Sequence, residues 1–496
     1  MSRLEIFHIL FAQFSFLQII KTTKRVISND ISADIILLLI LILSVFSVHF
    51  YPDKKFNAVT MYLSFFLLSL KDGSLSNHVV TSCTVCLLML ATSIGQGWEM
   101  RAEKNLTVFV VILYLAAGIH KLNSGFIDPY YSCANLYVIG ALSAFPVWVQ
   151  AIFKSMGIIN QVPVCAILFE FVMPLVIWFA PKWRRHAIVV GALFHGVLAL
   201  APSPLSVYPF SAIMLPIYVM LLPGKNFLGI VRYPRILLPF LGLIYAWAWM
   251  YASQTLFETD DMFEYPNYGM WSCSLVWNIV GWSLVIRAAI MSETTKKVNR
   301  VRMGKLSILI LTIFAIFPLG PYLGIRNYPA LAMFSNLRTE GTKANQFISL
   351  QLDYFKYQND WVEITDTNFN PIRNFQINLA PMFPQKLKDT AKLFEIDYSE
   401  FIITPPKWDY DSQPFVPFNI PFIELRRHIS NTNWDDTEPD LFVAFTRHFP
   451  DGRVENALFE SSRFTEFAEL NEPLSFFEKH FVKFRSFYED YSPCRH

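Results

Sequence analysis

Two hydrophobic patterns divide the chain near residue 326. Before it, apolar residues follow one another in long runs without alternation. Runs at 33–50, 57–71, 79–96, 105–120, 136–153, 160–180, 187–201, 208–222, 236–252, 271–290 and 306–322 approach or reach the roughly 20 residues that cross hydrocarbon as a helix. A further apolar stretch at 4–20 predicts an interfacial helix or another span, and it lacks the small-residue cleavage site of a signal peptide. After the boundary the period changes. Phe347-Ile-Ser-Leu-Gln-Leu-Asp-Tyr alternates as a half-buried strand does, and 441–448 and 453–459 flank Pro450-Asp451-Gly452 as the arms of a hairpin. Segments 385–396 and 473–487 predict helices, with Pro-rich loops around 404–421. The expected architecture is a mainly α-helical polytopic membrane domain of about 9–11 spans over residues 1–326, then a small mixed α/β soluble domain over 327–496.

Composition sharpens this division. The chain is 53% apolar and 16% charged, against about 45–50% and about 25% in soluble domains. Residues 327–496 hold 17 of the 41 Lys and Arg but 25 of the 39 Asp and Glu. The hydrophobic part is therefore basic, and the C-terminal part is acidic and suited to water. There is no Gly-rich phosphate loop and no internal repeat.

Basic residues in short loops mark the cytoplasmic side. With eleven spans starting inside, sixteen basic residues fall in inner loops and five in outer ones, and the acidic loop at 258–264 falls outside. This count predicts a multi-pass protein, as in a bacterial inner membrane, with the C-terminal domain extracytoplasmic. It also puts Lys121 at the cytoplasmic end of its span.

Ionisable groups at membrane depth are costly and mark function by default. They are His78, His120, Lys121, Glu170 and His195. Lys121 closes the run Tyr114-Leu-Ala-Ala-Gly-Ile-His-Lys-Leu. Held in a dry pocket it would act as a general base, and held at a helix end it would snorkel to headgroups. His195 lies mid-run and needs a partner, for which Glu170 on the preceding span is the candidate; an interhelical structural bond is the alternative. His78 follows Asn77 at a span start and is a site or a helix-end contact. His186 belongs to a basic loop. Six cysteines, Cys83, Cys86, Cys133, Cys165, Cys273 and Cys494, suggest no disulfide framework. Cys83 and Cys86 form a CxxC inside an apolar run, open to a redox dithiol or to simple packing. No spacing suggests a metal site.

The run ending in Ala-Gly-Ile-His-Lys121-Leu resembles a segment of the vitamin K-dependent gamma-carboxylase family and its bacterial membrane relatives with the HTTM domain. Leu168-Phe-Glu170-Phe, the Phe194-His195 pair and Phe210-Ser-Ala-Ile-Met-Leu resemble the later segment, and Asn77-His78 a third, so the likeness covers roughly residues 60 to 225. Met333-Phe-Ser-Asn-Leu-Arg-Thr-Glu-Gly also looks like a motif of the bacterial relatives.

The resemblance implies that Lys121 deprotonates a reduced, vitamin K-like quinone, which reacts with O2. The strong base so formed removes a γ proton from a glutamyl-like substrate, and CO2 adds to the carbanion. His78 would stabilise that chemistry, and His195 with Glu170 would line the quinone pocket, with no metal. The implied partners are the lipid bilayer and a secreted or membrane protein substrate, not a nucleic acid. The family's carboxylases carry a longer extramembrane region, which leaves the acceptor open. The competing reading is a non-catalytic membrane protein that binds a lipid or quinone, or assists export and assembly.

Overall fold

The computed structural model describes residues 2–28, 32–71, 76–200, 208–223, 264–292, 302–332, 335–347, 354–355, 357–373, 385–396, 415, 417–432, 441–489 and 494. For 17–28, 32–34, 71, 208–209, 264–276 and 464–466 it gives the backbone alone. The run at 236–252, most of the alternating segment (348–353) and the loop at 404–414 lie outside the described residues.

Among these residues the chain is mostly helical, with one antiparallel four-stranded sheet near the C-terminus. The helices are α1 (Arg3–Ser28), α2 (Ser32–Phe50), α3 (Lys55–Lys71), α4 (Asn77–Ser93), α5 (Trp98–His120), α6 (Ser124–Ile127), α7 (Cys133–Leu142), α8 (Val147–Ser155), α9 (Ile158–Phe179), α10 (Arg184–Leu200), α11 (Tyr208–Leu221), α12 (Glu264–Met291) and α13 (Lys305–Ile316). Two of them, α5 and α9, are long and apolar enough to cross a membrane.

The run at 136–153 does not form one helix. It breaks into α7 and α8 around 143–146, because Pro146 has no N–H to continue the ladder and disfavours helical backbone in the residue before it. Ten-residue α7 rises about 15 Å, half the thickness of hydrocarbon.

The chain packs as two compact units, Met1–Leu115 with Phe169–Phe314, and Ala116–Leu168 with Ala315–His496. These units cut across the sequence boundary at 326.

In the first unit an ion cluster gathers helix ends. The Arg3 guanidinium bonds Glu99 at 3.0 Å and Glu103 at 2.8 Å, and donates to the Leu222 carbonyl at 2.6 Å. Arg184 reaches Glu103 at 3.1 Å, and His8 Nδ1 lies 3.1 Å from the Pro52 carbonyl. The starts of α1, α5 and α10 and the ends of α2 and α11 therefore share one end of the unit. On the first unit's part of α9, buried Glu170, Met173 and Ile177 are backed by exposed Val172 and Leu175. Exposed Leu and Ile also face outward from α2 and α13.

In the second unit the sheet runs in the order β2-β1-β3-β4, with β1 Trp361–Thr367, β2 Phe418–Pro421, β3 Phe442–His448 and β4 Val454–Glu460. The predicted hairpin is β3–β4, with Phe445 opposite Ala457, closed by a turn in which Gly452 adopts a φ of +88°. Alternate residues Val362, Ile364, Phe418, Ile420, Val443, Phe445 and Phe459 form the core with Leu425 and Ile429. These last two come from helix α15 (Phe422–Ser430), which follows α14 (Gln385–Leu393). The helix expected over 473–487 is only Phe476–His480, started by a Ser475–Glu478 capping box. It stops because the next residues form bridges instead, Lys483 with Arg326 and Phe487 with Asn419.

Candidate functional site

His195 sits at the centre of the first unit's buried aromatic cluster. Residue Phe194 stacks on Phe169 at 4.2 Å, the Trp282 ring stacks on His195 at 5.3 Å, and Phe210 lies 5.5 Å away. Its hydrogen-bond partner is not Glu170 but Tyr114, whose hydroxyl lies 2.5 Å from Nε2. Tyr114 in turn meets the Tyr218 hydroxyl at 2.8 Å, and Tyr218 donates to the Met173 sulfur at 4.0 Å. His195 Nδ1 is buried and without a hydrogen-bond partner among the described residues. All three polar side chains are at most 2% exposed, so each bond is made in a dry interior where leaving it unmade is costly.

The helices deliver this geometry simply. Tyr114 lies on α5, Glu170 and Met173 on the buried stripe of α9, His195 on α10, Tyr218 on α11 and Trp282 on α12. Gly191, one turn before His195, is what lets α11 approach, since a Cβ there would collide with the Tyr218 hydroxyl and ring. Glu170 is buried one residue from Phe169, whose ring meets Tyr114 edge-on at 5.8 Å. His78, half-buried at the start of α4, has Ser76 Oγ 2.9 Å from its Nδ1.

Lys121 belongs to the second unit. It is 7% exposed, directly after the last residue of α5, with Nζ 5.6 Å from the Phe126 ring centre. Its neighbour His120 faces Pro318, whose carbonyl lies 2.9 Å from Nε2. The turn is locked by Asn123, which donates to the carbonyls of His120 at 2.8 Å and Ser335 at 2.5 Å and accepts from Phe126 N–H at 2.8 Å. The described part of the Met333–Gly341 motif supplies this clamp. Asn336, at a left-handed φ of 52°, accepts from Cys133 N–H at 2.9 Å and donates to the Tyr131 carbonyl at 2.7 Å. Arg338 donates to the carbonyls of Lys343, at 2.8 Å, and Glu489, at 2.6 Å. The motif thus has a structural task, to wrap the loop after Lys121.

A disulfide joins Cys133 to Cys494, 361 residues apart. This corrects the expectation of no disulfide, because such a separation leaves no local spacing to read. Cys83 and Cys86 are free thiols buried on α4. Among the described residues, no group of three or more His, Cys, Asp or Glu could hold a metal ion.

The sequence singled out Lys121, His78, His195 and Glu170, and it missed Tyr114, Tyr218, Trp282, Asn123 and Asn336. Tyr114 stands inside the very run that ends at Lys121, and a hydroxyl amid apolar residues was the available signal. No family model matches the chain, and neither a curated protein nor a solved structure does.

Proposed function

We propose that the chain is a multi-pass integral membrane enzyme of the gamma-carboxylase type, in which Lys121 is the base. The observation that carries this reading is the burial of Lys121. A snorkelling lysine leaves its ammonium in the headgroup layer, whereas Lys121 is enclosed by the protein beside Phe126, in a turn held by Asn123.

In this reading an aromatic, oxygen-bearing head group would bind at the His195 cluster, where Nδ1 has no hydrogen-bond partner among the described residues and the rings of Phe210 and Trp282 lie near. Tyr114 fixes the imidazole so that this nitrogen does not rotate away. A reduced quinone with O2 and CO2 would supply the strong base and the added carbon, and a glutamyl-like side chain would be the acceptor. His78 would stand by the developing carbanion.

The membrane reading is supported by the outward stripes of α2, α9 and α13, whose exposed Leu, Ile and Val suit lipid and would be an aggregation liability in water. One feature supports a side for the second unit. Disulfides persist in oxidising compartments, so Cys133 and Cys494 speak for an extracytoplasmic second unit. On this reading Lys121, a residue of the second unit, would lie on the extracytoplasmic side, with α1 as an added span and 136–153 as none.

The test is turnover of purified protein in detergent with reduced quinone, O2 and labelled carbonate. The wild type forms quinone epoxide and fixes label, while Lys121→Met, still folded by size exclusion, does neither. No epoxide from the wild type with several quinones would transfer the assignment to the non-catalytic, quinone- or lipid-binding reading.

A further inference from the structure

Resting on the membrane reading, we infer that α8 lies flat in the extracytoplasmic headgroup layer and binds the lipid interface through an outward apolar face. Val147, Trp148, Ile152 and Met156 are 69%, 67%, 49% and 61% exposed. Trp148 and Ile152 are one turn apart and share a face of the nine-residue helix. With Met156 at the C-cap they follow at steps of four and line one side, an exposed apolar patch of the kind that marks an interaction surface.

The neighbours of α8 fix what that partner is. On one side it packs against α14, and Lys154 Nζ bonds Glu395 Oε1 at 2.9 Å just past that helix. Helix α14 exposes Gln385, Lys386, Asp389 and Lys392, a surface that belongs in water. On the other side the chain turns at Gly157, with a φ of +61°, and α9 begins at Ile158 and within two turns exposes Val164, then Leu168. A helix with water-facing charges beside it and a hydrocarbon-facing span directly after it stands at the boundary between the two media. Tryptophan is favoured at that depth, and Lys386 and Lys392 suit the anionic headgroups beside it. The break at Pro146 gains a role here, because an unbroken helix over 136–153 could not lie flat and place α7 inside the second unit.

The inference is tested with nitroxide labels on full-length protein in nanodiscs containing anionic lipid, in a Cys165→Ser background. Accessibility to oxygen and to a water-soluble nickel chelate is compared at Trp148→Cys, Ile152→Cys, Val172→Cys on α9 and Asp389→Cys on α14. The expected oxygen-to-nickel collision ratio at position 148 falls between the high value at 172 and the low value at 389, and position 152 repeats it should the tryptophan variant not fold. A ratio at 148 and 152 equal to that at 389, as a face kept for a protein partner would give, overturns the inference and leaves the membrane reading standing. A ratio equal to that at 172 overturns it in favour of a span. A low ratio at 172 itself overturns both.

Discussion

The Tyr114 hydroxyl and the His195 Nε2 lie 2.5 Å apart although 81 residues separate them in the chain. This pair ties α5 to α10, and the Tyr218 hydroxyl extends it to α11. Removing Tyr114 takes this contact from both of the others in a dry interior.

Tyr114→Phe is therefore expected to destabilise the first unit by about 1–3 kcal/mol, the cost of a buried group left without its partner. Tyr218→Phe should cost less, because His195 keeps Tyr114. Thermal unfolding of the detergent-purified variants measures both, and equal melting temperatures for Tyr114→Phe and wild type would remove the structural weight given to the pair.

Gly191→Ala places a Cβ against the Tyr218 ring. Overpacking of this kind costs about 1–3 kcal/mol. Because α11 is forced back, the variant should also weaken binding of a quinone analogue, read by fluorescence titration. The neighbouring Gly196→Ala, which meets open space, is the control and should leave binding unchanged.

Cys133→Ser and Cys494→Ser each open a closure of 361 residues. Each is expected to lower the stability of the second unit by about 2–5 kcal/mol, and the double variant by no more than either single one. Limited proteolysis with and without reductant reads this, and a greater loss in the double variant would show that the cysteines act separately.

Acid should act on the second unit through His428. Its imidazole is pushed down to about 4, first by burial and then by the charges of Arg427 and Lys483, whereas the unfolded chain takes up the proton near about 6.5. The unfolded state thus binds more protons between these values, and this contribution to stability falls as pH drops from about 6.5 to about 4. Glu424 works in the opposite direction. Burial raises its carboxyl despite Arg427 and the Phe484 N–H, so it favours the folded state at low pH and loses that contribution as pH rises through its folded value. The comparison that isolates the histidine is His428→Gln against wild type. The variant should gain relative stability from pH 7 down to pH 5, at a slope approaching ~1.4 kcal/mol per pH unit, and a pH-independent difference would refute the assignment.

What the sequence by itself determined is what depends on near neighbours. Runs such as 33–50, 105–120 and 160–180 became α2, α5 and α9, because helix formation and apolar burial are written in consecutive residues. The β3–β4 hairpin was legible for the same reason, its turn residues standing between two alternating arms. Lys121, His195 and Glu170 stood out in the sequence because charge and polarity are conspicuous in an apolar run, and all three are buried.

Only the tertiary structure decided their partners. It gave His195 to Tyr114 instead of Glu170, joined Cys133 to Cys494, and packed the loop after Lys121 with residues beyond 315. It also bent 136–153 at Pro146 and stopped the helix expected over 473–487, where bridges to Arg326 and Asn419 compete with helical hydrogen bonds. A hydrogen bond or a disulfide between distant residues depends on which helix faces meet, and no periodicity along one segment records the face of another.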